Sequence, residues 1–195
     1  MNKNNGTLFN KMAKNWDKNI PILNYEIVCS IIEKFQIGPK CSVLDVACGT
    51  GILYSILKDR GLSRYVGVDN SQKMIEEFFI KYPNVDVRLV DFESNVLFKK
   101  PFDYIIIFNS IPHFNELDAV FINAYNNLNS GGIFIISHSK TREGLKEHHR
   151  KIGYVPDKKE PIPSDELLLD YCKRYGFTDL NILDDEYFCF STKPK

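Results

Sequence analysis

The 195-residue chain has the length of one domain with a substantial core. An apolar content of 44% beside 26% charged residues fits a globular protein, and 25 Lys plus Arg against 25 Asp plus Glu leave no net charge, so the basic footprint of a nucleic-acid binder is missing. No apolar run approaches the ~20 residues of a membrane span, the first residues lack a signal-peptide core, and five cysteines without a C-x-x-C pair read as reduced thiols of a cytoplasmic protein.

In chain order, Leu8, Phe9, Met12, Ala13 and Trp16 recur at helical spacing and give an amphipathic N-terminal helix that must cover something. Cys41 to Val46 reads as a first strand. It runs into Gly49-Thr50-Gly51 and then into a helix carrying Ile52, Leu53, Ile56 and Leu57. Tyr65 to Val68 is a short second strand ending at Asp69. The helix from Gln72 places Met74, Ile75, Phe78 and Phe79 on one side, with Glu77 and Lys81 as an i,i+4 pair, and Pro83-Asn84 break it. Val85, Val87 and Leu89 alternate as a third strand leading to Asp91. Phe102 to Phe108 is a nearly unbroken apolar run, as in a strand buried on both faces.

The next helix starts near Asn115, with Leu117, Val120, Phe121, Ala124 and Leu128 at helical spacing. Gly131-Gly132 then turn the chain into a fifth strand, Ile133 to Ser137. Thr141 to Lys151 can form a helix on which Leu145, His148 or His149, and Ile152 share a face. Ser164 caps a last helix with Asp165 and Glu166 in its first turn, an inner face of Leu167, Leu168, Tyr171 and Cys172, and Gly176 at its end. Strands at Phe177 to Leu183 and Glu186 to Ser191 flank the turn pair Asp184-Asp185. The alternation predicts an α/β protein with a mostly parallel sheet, helices on both faces and a C-terminal antiparallel hairpin.

The glycine turn points to function. A buried strand ending in Gly-x-Gly before a helix places a ligand outside the strand's carboxyl end, where the helix offers free N–H groups. The dinucleotide fingerprint G-x-G-x-x-G fails, because Tyr54 stands at the third glycine, and no Lys followed by Ser or Thr completes a P-loop. What remains is Asp45-x-Ala47-x-Gly49-x-Gly51. This resembles motif I of the class I S-adenosylmethionine (SAM) methyltransferases, with Ala47 where a first glycine is common. The strand–helix order is similar to that family too, whose Rossmann-like sheet has seven strands, the last antiparallel and beside the fifth. The resemblance covers roughly residues 40 to 137 by motif and the remainder by pattern.

Several site residues follow from the resemblance. Asp45, Ala47, Cys48, Gly49 and Gly51 form the motif I turn. Asp69 stands where the family accepts hydrogen bonds from both ribose hydroxyls, for which a carboxylate's two oxygens are suited; as a residue on its own it could equally cap the following helix. Asn70 and Met74 lie in the Asp-x-Ser-x-x-Met pattern near the adenine, and Met74 serves as well as a core contact. Asp91-Phe92 looks like the adenine-binding pair, the carboxylate taking the exocyclic amine and the next N–H reaching a ring nitrogen. Asn109 opens the segment Phe108 to Phe114, at the position beside the transferable methyl.

All four histidines follow strands four and five. Three roles stand open for them. They could be loop residues in solvent; His113 or His138 could be a general base or substrate-orienting group, having an unperturbed pKa near ~6.5; or His113, His138 and His149 could bind a metal, although no known local metal motif is present and none is expected. Residues 1–37 are expected to form lid helices, whose Met12 to Asp17 stretch looks like the family's Ala-x-x-Tyr-Asp signature with Trp16 for Tyr. Residues 138–163 are expected to be an insertion over the cleft. Trp16, Tyr25, Arg142, His148 and His149 would then shape the substrate pocket.

The expected activity is methyl transfer from SAM to a small molecule by a single domain spanning 1–195, as monomer or homodimer, without nucleic-acid or membrane partners. A SAM-binding protein or subunit without transfer activity, and a nucleotide-dependent oxidoreductase, are the alternatives.

Overall fold

The computed structural model describes residues 4–153 and 160–195. The N-terminal region folds as α1 (Asn4–Met12), a 3-10 helix (Ala13–Asn19) and α2 (Ile22–Lys34). There follow β1 (Ser42–Val46), α3 (Ile52–Leu57), β2 (Arg64–Asp69), α4 (Gln72–Lys81), β3 (Val87–Leu89), β4 (Phe102–Phe108) and a 3-10 turn (Ile111–His113). The C-terminal half adds α5 (Leu117–Asn127), β5 (Leu128–His138), α6 (Arg142–Lys151), α7 (Asp165–Tyr175), β6 (Phe177–Asp184) and β7 (Phe188–Pro194).

The seven strands form one sheet in the order β3-β2-β1-β4-β5-β7-β6. β3, β2, β1, β4 and β5 pair in parallel, and β7 runs antiparallel between β5 and β6. This is the Rossmann-like arrangement expected. The apolar runs explain the order, since β1 and β4 must be covered on both faces. Successive side chains take opposite faces: Leu44, Val46, Ile105 and Ile107 pack with α5 and α7, while Val43, Ile106 and Phe108 pack with α2 and α3. The chain order reverses beside β1, which opens a crevice at the carboxyl ends of β1 and β4.

The differences from sequence expectation have local causes. β5 begins at Leu128, not Ile133, because Gly131 and Gly132 sit within the strand as an irregularity; its register to β4 shifts between Phe102 and Tyr104. α5 begins at Leu117 and β3 at Val87, each two residues late. Phe79 and Leu167 are 39% and 40% exposed, since α4 and α7 bury a narrower stripe than their apolar residues suggest. Ile152 is 61% exposed because α6 ends at Lys151, so it shares no face with Leu145, which is buried. Lys81 does not pair with Glu77; its Nζ meets Asp17 Oδ2 at 2.7 Å.

Candidate functional site

β1 ends in a turn that needs unusual backbone three times: Ala47, Gly49 and Gly51 have φ of 56°, 53° and 97°. Ala47 thus takes the left-handed conformation that glycine adopts freely, at a cost of roughly 1–2 kcal/mol. The two glycines do different work. A Cβ on Gly51 would stand 2.7 Å from the Phe78 ring, so its lack of a side chain lets the turn pack on α4. A Cβ on Gly49 would meet nothing within 4 Å; this residue faces open cleft.

The turn is held by Asp69 at the end of β2. Its Oδ2 accepts from the Gly49 N–H at 2.9 Å and its Oδ1 from the Ser71 N–H at 2.8 Å. Burial raises its pKa, while those backbone N–H groups and that of Asn70 oppose the rise. Capping of α4 falls to Ser71, whose hydroxyl accepts from the Met74 N–H. After β3, Asp91 Oδ1 accepts from the Glu93 N–H at 2.9 Å. After β4, Asn109 (φ 54°) receives the Ser139 N–H on its Oδ1, which ties it to the end of β5.

These ends surround a cleft of about 370 Å³. Of the cofactor residues named from sequence, Ala47, Cys48, Gly49, Asp69, Asn70, Met74, Asp91, Phe92 and Asn109 line it. Gly51 lies behind the turn. Asp45 is off the cleft too: inside β1 it projects onto a sheet face, where the Tyr65 hydroxyl donates to its Oδ2 at 2.6 Å. Burial pushes the Asp45 carboxyl up to about 7, the Tyr65 hydroxyl opposing and the Asp69 charge assisting.

The opposite wall comes from the N-terminal region, including Phe9, Met12, Trp16, Asn19 and Asn24. His113 lines the cleft as well, its ring edge-on to Phe9 at 4.9 Å, and Phe9 in turn meets Trp16 at 5.7 Å. The other predicted side chains are placed elsewhere. Tyr25 is on the outer side of α2, 36% exposed. His138 is buried at the end of β5, where its Nδ1 receives the Lys140 N–H at 3.0 Å; burial lowers its pKa to about 4, which leaves it neutral. Arg142 is consumed by Asp184 at 3.1 Å and Asp165 at 2.8 Å, its Nε donates to the Pro163 carbonyl, and it stacks on Phe188. His148 and His149 sit on α6, off the cleft. None of the described residues of the 138–163 insertion lines it; residues 154–159 lie outside the described residues. Among the described residues no group of three His, Cys, Asp or Glu side chains could hold a metal, so the three-histidine site is not formed.

Sequence reasoning missed how the N-terminal wall is fastened. Asp17 accepts from the Thr50 hydroxyl with one oxygen and pairs with Lys81 through the other. Asn10 Oδ1 accepts from the Ser71 hydroxyl at 2.8 Å and the Lys73 N–H at 2.9 Å. The wall is therefore bound to the glycine turn and to both ends of α4. The visible signal was Asp17 at the close of the Ala-x-x-Trp-Asp stretch.

A family model described as a methyltransferase domain matches residues 37–159. The chain belongs to the class I SAM-dependent methyltransferases. It is 31% identical over 127 residues to ribosomal protein L11 methyltransferase of Staphylococcus aureus, which covers 60% of this chain and 38% of that protein. The chain spans 38% of the length of the first curated relatives it matches. Its fold is shared with a chain in the complex between the Haloferax volcanii Trm112 methyltransferase activator and a methyltransferase (TM-score 0.78, 13% identity, 96% of this chain and 98% of that one). It is shared also with Haemonchus contortus phosphoethanolamine N-methyltransferase 2, solved with phosphomonomethylethanolamine and S-adenosylhomocysteine (TM-score 0.68, 18% identity, 87% and 53%). Among the described residues of this family member, no helix is long and apolar enough to cross a membrane, and all five cysteines are free thiols.

Proposed function

We propose that this methyltransferase moves the methyl group of SAM to a small-molecule acceptor bound between the ends of β1 and β4 and the N-terminal wall. One observation carries the reading: the Asp69 carboxylate and the unfilled side of Gly49 face one cleft, as a ligand with ribose hydroxyls and an amino-acid tail requires. When bound, SAM supplies an electrophilic methyl on a sulfonium. Asp69 accepts from the ribose hydroxyls while keeping the Gly49 turn in place, and Asp91 accepts from the adenine amine. The Phe9 and Trp16 wall limits water and holds the acceptor close, the main requirement of an in-line displacement. His113 takes a proton from an acceptor that carries one.

A small acceptor is favoured because the N-terminal residues Phe9, Met12 and Trp16 wall the cleft directly opposite the glycine turn. The name of the Staphylococcus aureus relative makes a protein acceptor the competing outcome. The test is release of S-adenosylhomocysteine with a panel of small hydroxyl, thiol and amine acceptors beside ribosomal protein. His113→Ala should lower turnover about 100-fold while SAM affinity changes less. Turnover on protein alone would overturn the small-acceptor reading, and unchanged turnover in His113→Ala would remove the base.

A further inference from the structure

The loop from Asp91 to Phe98 has no regular structure, yet five of its backbone groups are paired by two asparagines of α5. Asn123 is 2% exposed. Its Nδ2 donates to the Phe92 carbonyl at 2.9 Å and the Ser94 carbonyl at 2.6 Å, and its Oδ1 accepts from the Val96 N–H at 3.2 Å. One turn later Asn127, fully buried, accepts from the Phe98 N–H at 2.7 Å and donates to the Val96 and Asn123 carbonyls, both at 2.8 Å. An amide side chain presents donors and acceptor together, so it can replace a missing strand partner for a loop. Buried in this way, the contacts are costly to lose.

The two amides share Val96 and otherwise grip different places. Asn127 holds the far end of the loop at Val96 and Phe98. Asn123 holds Phe92 and Ser94, the residues around Asp91 and Phe92 at the cleft wall. The Asp91 carboxylate is aimed by the Glu93 N–H, so a shift at the Phe92 or Ser94 carbonyl re-aims it. We infer that Asn123 is a positioning residue for base recognition: it fixes the Asp91–Phe92 edge so that an adenine amine is read, and Asn127 serves only to hold the loop down. The inference rests on the proposed binding of SAM in this cleft.

The test is the affinity ratio between S-adenosylhomocysteine and its hypoxanthine counterpart, S-inosylhomocysteine, which has a carbonyl oxygen where adenine has the amine. The wild-type protein should prefer adenine by about tenfold or more, the scale of one hydrogen bond to a charged acceptor. Asn123→Asp keeps the shape and loses both donors, and Asn123→Ser is the second variant, should a buried carboxylate prevent folding. In either, the ratio should fall to about twofold, while Asn127→Asp lowers the melting temperature and keeps the wild-type ratio. A wild-type ratio in the folded Asn123 variants would overturn the inference, as would equal loss of ratio in Asn127→Asp. Failure of the wild-type protein to bind either nucleoside would instead overturn the cofactor reading on which it rests.

Discussion

At the scale of single residues, two titration effects oppose each other. Asp45 is raised from 3.8 to about 7, so the folded protein holds that proton more tightly than the unfolded chain does. The stability it contributes is present at low pH and is lost as pH rises toward 7, about 4 kcal/mol in all. His138 is lowered from 6.5 to about 4; its contribution is present above 6.5 and lost as pH falls through that window, about 3 kcal/mol. Between about 4 and 6.5 the two largely cancel. Asp45→Asn removes one arm, so its stability should rise more steeply with pH across this interval than that of the wild-type protein. Urea melts at pH 5, 6 and 7 would show this, and parallel curves for the two proteins would refute the assignment. The two glycines separate in the same manner. Gly51→Ala should cost about 2–4 kcal/mol of stability, through the Phe78 contact and the positive φ. Gly49→Ala should lose only about 1–2 kcal/mol of stability but at least tenfold in SAM affinity, measured by calorimetry beside thermal melts; an equal stability loss for both would deny that Gly49 faces the ligand.

At the scale of elements, the N-terminal wall is the part whose attachment can be tested alone. The Lys81–Asp17 pair is partly exposed and worth little as an ion pair. The contact of Asp17 with buried Thr50, however, joins the wall to the glycine turn. Asp17→Ala should therefore raise the SAM dissociation rate about tenfold, one hydrogen bond to a carboxylate, with a melting temperature within a few degrees of wild type. Stopped-flow release would read it, and an unchanged rate would make the wall mere packing. Much of this architecture was legible in the sequence: the β1–turn–α3 motif, the apolar runs of β1 and β4, and the carboxylates Asp69 and Asp91 at or after strand ends all announce themselves locally. Asp45 was misplaced because motif spacing does not reveal which side of a strand faces a sheet and which faces a ligand. Arg142 failed as a cleft residue for a long-range reason, since its partners Asp165 and Asp184 are brought near only by α7 and β6, whereas His138 is turned to the Lys140 N–H two residues on. The Asn123–Asn127 ladder was invisible because two amides on an otherwise apolar face look like exceptions until the loop they serve is placed beside them.

At the scale of the whole molecule, the sheet order places β1 and β4 side by side with their carboxyl ends under one cover. Every cofactor contact proposed comes from a strand end or the turn after it, and the cover comes from the segment ahead of β1. On the proposed function, the strand-end half binds the nucleoside and the fastened N-terminal half encloses the acceptor. The central claim is that this cleft binds SAM. Calorimetric titration with SAM and S-adenosylhomocysteine, with NADH as control and Asp69→Ala alongside, tests it most directly. Binding of the first two alone, weakened about 100-fold in Asp69→Ala by the loss of two hydrogen bonds to a charged acceptor, is the predicted result. Binding of NADH in place of SAM, or SAM affinity unmoved by Asp69→Ala, would contradict it.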